Sequence, residues 1–224
     1  MQRPARTPRL SAARRRALIL EAARSVFADY GFESASMDEV ARRARITKPV
    51  IYQHFGSKRA LFRELLTLAG EELIATIAAA TRSVEHPRQR LWSGMRAFFR
   101  FVHERRTEYL ILFSPGVYRD AEFQELVTSI ELAVADEVAR AITGARNDHD
   151  RLLAARALMG LANGAAAAYL DDPDDPSMID FADSRAAHVA EAAARLAWSG
   201  LRRINLVDET SPHGPEPVER SGNL

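Results

Sequence analysis

The sequence predicts an all-helical chain of two domains. Nearly every long segment repeats its apolar residues at the helical period, none alternates as a strand, and charge is divided along the chain. Residues 1–63 hold fourteen lysines and arginines against five carboxylates, and the rest of the chain seventeen against twenty-five. A net charge of +1 therefore conceals a cationic front, suited to phosphate contacts, and an anionic rear that phosphates repel. The expected divisions are a flexible basic arm over residues 1–11, a three-helix domain over 12–56, a larger helical domain over 57–204 and a disordered tail over 205–224. In the tail Pro, Gly, Ser and Glu dominate and no period survives.

The first helix is expected over residues 12–30, with Ile19, Ala22, Ala23, Val26, Phe27 and Tyr30 on one face and Gly31 to end it. Phe32 is expected to tuck under the turn toward Ser36. Residues 36–58 then read as two short helices meeting at a tight corner. Ser36 caps the first, and Glu39 three residues on completes a reciprocal capping box. Met37, Val40, Ala41 and Ala44 form its inner face. Thr47 caps the second helix, whose first turn accepts Pro49 without losing a hydrogen bond. Ile51 and Phe55, four apart, face inward. Left outside are Lys48, Val50, Tyr52, Gln53, His54 and Lys58: cations, hydrogen-bonding groups and a methyl-bearing side chain. That mixture suits a helix lying in the major groove of DNA.

Ser57 is expected to cap a long helix carrying Leu61, Phe62, Leu65, Leu66, Leu73 and Ile77, a natural lever from the cationic domain into the acidic one. After a break at Glu85, His86 and Pro87 comes an aromatic-rich helix with Leu91, Trp92, Met95, Phe98, Phe99 and Val102. Tyr109–Phe113 forms a short apolar piece, and residues 120–143 an amphipathic helix closed by Gly144. Two last helices, 149–170 and 178–204, flank D-D-P-D-D-P-S and are rich in alanine and glycine. Small side chains let axes approach closely, so the pair can form half of an intermolecular four-helix bundle.

These residues resemble the TetR family of bacterial transcriptional regulators. The resemblance is carried through residues 14–65 by A-A-R-S-V-F-A-D-Y-G-F, S-M-D-E-V-A-R-R-A, T-K-P-V-I-Y-Q-H-F and S-K-R-A-L-F. It implies an all-helical homodimer of nine or ten helices. Its amino-terminal helix-turn-helix domain would bind double-stranded operator DNA, and its carboxy-terminal domain would bind a small molecule and dimerise. By the same resemblance Thr47 opens the recognition helix and contacts phosphate, Tyr52 is an aromatic phosphate contact and Lys58 anchors the backbone. Lys48, Pro49, Val50, Gln53 and His54 would face the groove beside Ser36. Arg45 departs from the pattern: it stands where the family often has glycine, and adds a cation there.

No catalytic set stands out, and an enzyme is not expected. The histidines lack metal-ligand spacings, and neither a P-loop nor a G-x-G-x-x-G run occurs, so neither a metal nor a cofactor is expected. Without cysteine, disulfides and thiol chemistry are excluded. The longest uncharged stretch, 157–170, is shorter than the roughly twenty residues of a membrane span. With no signal peptide apparent, the cytoplasm is the expected location. Candidates for a mainly apolar effector pocket are Trp92, Met95, Phe99, His103 and Tyr109, together with Phe113, Phe123, Met159 and Asn163. The expected function is a ligand-responsive repressor released from a palindromic operator by a small apolar effector, a homodimer through its last two helices. The alternative is a helical small-molecule-binding protein or enzyme carrying a non-specific basic appendage.

Overall fold

The computed structural model describes residues 11–140, 142–143, 145, 147–174 and 179–203. The basic arm short of Ser11, Gly144 as a helix stop, residues 178 and 204 and the tail lie outside them. Described are nine α-helices: α1 (Ala12–Ser34), α2 (Met37–Ala44), α3 (Lys48–Phe55), α4 (Lys58–Thr81), α5 (Pro87–Glu104), α6 (Arg106–Leu112), α7 (Ala121–Ala139), α8 (Asp148–Leu170) and α9 (Arg185–Arg203). Single 3₁₀ turns lie at Val117–Arg119 and Phe181–Asp183, and no strand occurs among the described residues.

Short polar side chains start most of the helices by accepting free backbone N–H groups. Ser11 Oγ accepts from Arg14, Ser57 Oγ from Ala60 and Asn147 Oδ1 from Asp150, at 3.2, 3.0 and 2.8 Å. Gly31 interrupts α1 at φ 71° and ψ 172°, as its place after the apolar face predicts, and a last turn continues to Ser34. Tyr30 is not buried as expected: at the end of the regular part of α1 it is 53% exposed, with the Arg43 guanidinium 5.9 Å from its ring. Two helix ranges are also corrected. The helix expected over 120–143 stops at Ala139, and the one expected from 178 begins only at Arg185. In the second case Ser184 Oγ accepts from the Ala187 N–H at 3.2 Å, so the cap sits there, after the 3₁₀ turn.

The chain divides into two compact units. One comprises residues up to Glu72 together with Arg106–Ile130; the other comprises Leu73–Arg105 and the residues from Glu131 onward. The expected division between residues 56 and 57, at the start of the long helix, falls inside the first unit. Packing follows apolar contact instead, and α6 with the front of α7 joins the amino-terminal helices.

Phenylalanines fill the centre of the first unit. Phe62 lies 4.8 Å from Phe27, 5.1 Å from Phe32 and 4.9 Å from Phe123 between ring centroids, and Phe32 meets Phe123 edge-on at 4.8 Å. Arg59 extends over the Phe123 ring at 4.8 Å while its guanidinium bonds both carboxylate oxygens of Asp120, at 3.0 and 2.7 Å, and Glu122 at 3.0 Å. Between α1 and α6, Glu108 is buried and paired with Arg24 at 3.1 Å. In the second unit α5, α8 and α9 pack through Leu91, Phe99 and Val102 and the buried alanines Ala186, Ala190, Ala193 and Ala197. Trp92 Nε1–H donates to Glu191 Oε2 at 2.8 Å, and Trp198 stands edge-on to the Trp92 ring.

Phe62 is 1% exposed and touches three other rings. Phe62→Ala is expected to destabilise the protein by about 3–5 kcal/mol, and Phe62→Leu by distinctly less, as read from denaturant unfolding.

Candidate nucleic-acid interface

Helix α2 ends in a Schellman turn. The Ile46 N–H donates to Ala41 O at 3.1 Å and the Arg45 N–H to Arg42 O at 3.3 Å, which puts Arg45 in the left-handed region at φ 54°, ψ 40°. This is the conformation for which glycine is usual, at a cost to an arginine of about 1–2 kcal/mol. The geometry turns the chain within three residues, and α3 starts at Lys48. Gly56, at φ 74°, ends α3 with its N–H on Tyr52 O at 2.8 Å.

The caps differ from expectation. Ser36 Oγ accepts from the Asp38 N–H at 3.2 Å, but no reciprocal box forms, because the Glu39 carboxylate is engaged elsewhere. Arg42 grips it through two bonds, at 2.8 and 2.6 Å, and Arg43 Nε adds a third at 2.8 Å. Thr47 has the extended backbone of an N-cap, yet its side chain makes no capping bond.

Ile51 and Phe55 are buried beneath α3 as their spacing predicts. Arg45, Thr47, Pro49, Tyr52 and Gln53 are exposed with Ser36, whereas Lys48, Val50, His54 and Lys58 are half-buried. Both lysines already have partners. Lys48 Nζ donates to Asp38 Oδ2 at 2.9 Å, which raises its pKa. Lys58 Nζ donates to Glu33 O at 3.0 Å and stands 4.9 Å from the Phe32 ring, and partial burial lowers its pKa. Sequence reading overlooked the clasp of Arg42 and Arg43 on Glu39. Its signal was the acid at positions i−3 and i−4 from two arginines.

The nine pocket candidates are divided between the two units. Tyr109, Phe113 and Phe123 belong to the first compact unit, and Phe123 is part of its aromatic centre. Trp92, Met95, Phe99, His103, Met159 and Asn163 belong to the second. Burial pushes the Tyr109 hydroxyl up to about 12, so it is a neutral phenol. His103 is buried with both nitrogens engaged, Nδ1 with the Tyr169 hydroxyl at 2.8 Å and Nε2 with Ile179 O at 3.1 Å. Since a carbonyl only accepts, Nε2 carries a proton and donates to Ile179 O. Among the described residues no group of histidines and carboxylates could hold a metal ion, and no helix is long and apolar enough to cross a membrane.

A three-helix head with a tight corner and a solvent-facing second helix, followed by a helical carboxy-terminal domain, defines the class of helix-turn-helix DNA-binding regulators. The family model for bacterial regulatory proteins of the tetR family matches residues 19–65, and the tetracyclin repressor-like C-terminal domain matches residues 87–199. The chain is 31% identical over 200 residues to the HTH-type transcriptional activator FasR of Mycolicibacterium smegmatis, with 88% of each protein covered. It is 24% identical over 182 residues to the HTH-type nicotine-responsive transcriptional repressor HdnoR of Paenarthrobacter nicotinovorans, covering 79% of this chain and 94% of that one. A TetR-like transcriptional regulator from Rhodococcus sp. RHA1 superposes with TM-score 0.67 at 29% identity, covering 87% of this chain and 99% of that one. The chain belongs to the TetR family and is a helix-turn-helix transcription regulator.

The clasp on Glu39 gives a pH signature. Hydrogen bonds from Arg42 and then Arg43 lower the Glu39 carboxyl to about 2. Its folded pKa lies below the unfolded one, so the contribution is complete above the ordinary glutamate range and is lost as pH falls through about 2. NMR titration of the Glu39 carboxyl should show this low midpoint, and Arg42→Ala should return it toward the ordinary range.

Proposed function

We propose that the protein is a ligand-responsive, sequence-specific repressor that binds a palindromic operator as a homodimer and is released by a small apolar effector. The reading rests chiefly on the outward face of α3, where Tyr52 and Gln53 are exposed above buried Ile51 and Phe55. In this reading Thr47, Tyr52 and Lys58 contact phosphates, and Ser36 and Arg45 support them from the corner. Gln53 reads an adenine edge, Pro49 and Val50 touch thymine methyls, and Lys48 and His54 complete the groove face. Two such helices, related by a two-fold axis, would enter major grooves roughly 34 Å apart or a multiple of it.

Dimerisation is assigned to α8 and α9. Leu153 and Leu196 are 61% and 64% exposed, and the stripe from Leu153 through Gly160 and Gly164 is smooth enough for a second copy to approach closely. The effector is assigned to the second unit, near Trp92, Met95, Phe99, Met159 and Asn163 on α5 and α8. The engaged ring of His103 and the packed ring of Phe123 take no part. The effector works only through its different affinity for two dimer shapes, typically about 1–3 kcal/mol of coupling. The protein would act in the cytoplasm and without catalysis. A second reading, activation, is favoured by the relative named an activator, FasR.

Selection of bound sequences from a random duplex pool should return a palindrome, and a pool without enrichment would remove sequence reading. On the selected site Gln53→Ala should lose about 1–3 kcal/mol of discrimination at one base pair. Lys58→Gln should weaken all sequences alike and flatten the salt dependence by about one counterion. Fusing the site to a promoter separates repression from activation by the sign of the response. Leu153→Arg with Leu196→Arg should halve the mass in solution scattering while the helical circular dichroism is kept; a dimer that persisted would move the interface elsewhere.

A further inference from the structure

The last turn of α4, the first turn of α5 and the end of α7 surround a cleft of about 150 Å³, lined by Ala78, Thr81, Arg82, Arg90, Glu137 and Arg140. All six residues belong to the second compact unit. Three guanidiniums face one carboxylate, so the lining carries a net charge of +2. The carboxylate is already engaged: Glu137 Oε1 takes Arg140 at 2.8 Å, and Arg140 also reaches Asp136 at 3.2 Å.

Arg90 is fixed from behind. Its Nε–H donates to Val84 O at 2.6 Å and its Nη1 to Arg140 O at 3.0 Å, two neutral carbonyls that orient the planar fork without cancelling its charge. Arg82 has neither a carboxylate nor a side-chain hydrogen-bond partner among the described residues. Thr81 is turned inward, its hydroxyl donating to Ile77 O at 2.9 Å, and it offers the cleft only its wall. Two cations without a counterion thus stand at one opening, one held rigidly and one free to swing.

We infer that this cleft binds a phosphate monoester, with Arg90 as the fixed fork and Arg82 closing on the outer oxygens. Guanidinium forks match phosphate oxygens in pairs, and a dianion cancels the surplus that a carboxylate would only halve. An engineered cavity of ~150 Å³ takes up benzene, so the phosphate and the first atoms of its ester fit, against the methyl of Ala78. This site is separate from the DNA-reading face and from the apolar pocket assigned above, and its occupancy is measurable whether or not either assignment holds.

Calorimetric titration of the whole protein at constant ionic strength, with glycerol 3-phosphate, inorganic phosphate and acetate as probes, tests it. Glycerol 3-phosphate should bind saturably, one per chain, with acetate about tenfold weaker or more, as expected for the loss of a charged hydrogen bond. Arg82→Gln should weaken the ester about tenfold without shifting the melting temperature of the unliganded protein. Arg90→Lys, which keeps the charge and loses the fork, should do the same to binding. Phosphate held at the cationic amino-terminal helices would survive both substitutions, and that result overturns the site. Absence of saturable heat overturns it too, and equal affinity for inorganic phosphate replaces the monoester with the free ion.

Discussion

Eight residues are too few for an isolated helix to persist in water, and α3 buries only Ile51 and Phe55. Its orientation is therefore borrowed from the aromatic centre beneath the amino-terminal helices. Phe27 and Phe32 come from α1, on either side of the break at Gly31, Phe62 from α4 and Phe123 from α7. Three helices far apart in sequence meet at one cluster, and edge-to-face contacts restrict how the rings can slide. Arg59 binds the rim of that cluster to the start of α7 through Asp120 and Glu122. Anything that moves the front of α7 acts on the first turn of α4 within one packed unit.

The cationic front is less free than its composition implies. Lys48 is occupied by Asp38, Arg42 and Arg43 by Glu39, Arg43 also by Asp29, and Lys58 by a backbone carbonyl. A phosphate arriving there competes with partners already in place. Exposed pairs of this kind are weak because solvent screens them, so the exchange is easy. What the pairs supply is geometry: the side chains wait in defined positions, at a smaller entropy cost than loose ones would carry on binding.

Periodicity and capping residues made the helices legible, including the break at Gly31 and the cap at Ser57, although the cap at Asn147 was not foreseen. They failed where several local partners competed for one group. Glu39 had the spacing of a capping box, but two guanidiniums bind it more strongly than one backbone N–H, and Thr47 held a cap position without the bond. The start of α9 was misplaced because a 3₁₀ turn has the same residue preferences as a helix end. The pocket lining is the least legible part of the sequence. Aromatic spacing marks a buried face without saying which neighbour buries it, so Phe123 and Trp92 looked alike in sequence yet belong to different units.

The chain contains only two lysines, and the structure places them at opposite ends of the reading helix segment, one at the first residue of α3 and the other at the first residue of α4. Primary amines on the protein are thus confined to that face and the amino terminus. Acylating reagents, aldehyde crosslinkers and amine-coupled surfaces will engage the molecule there, and immobilisation through amines will mask the face while leaving the rest of the protein folded and accessible.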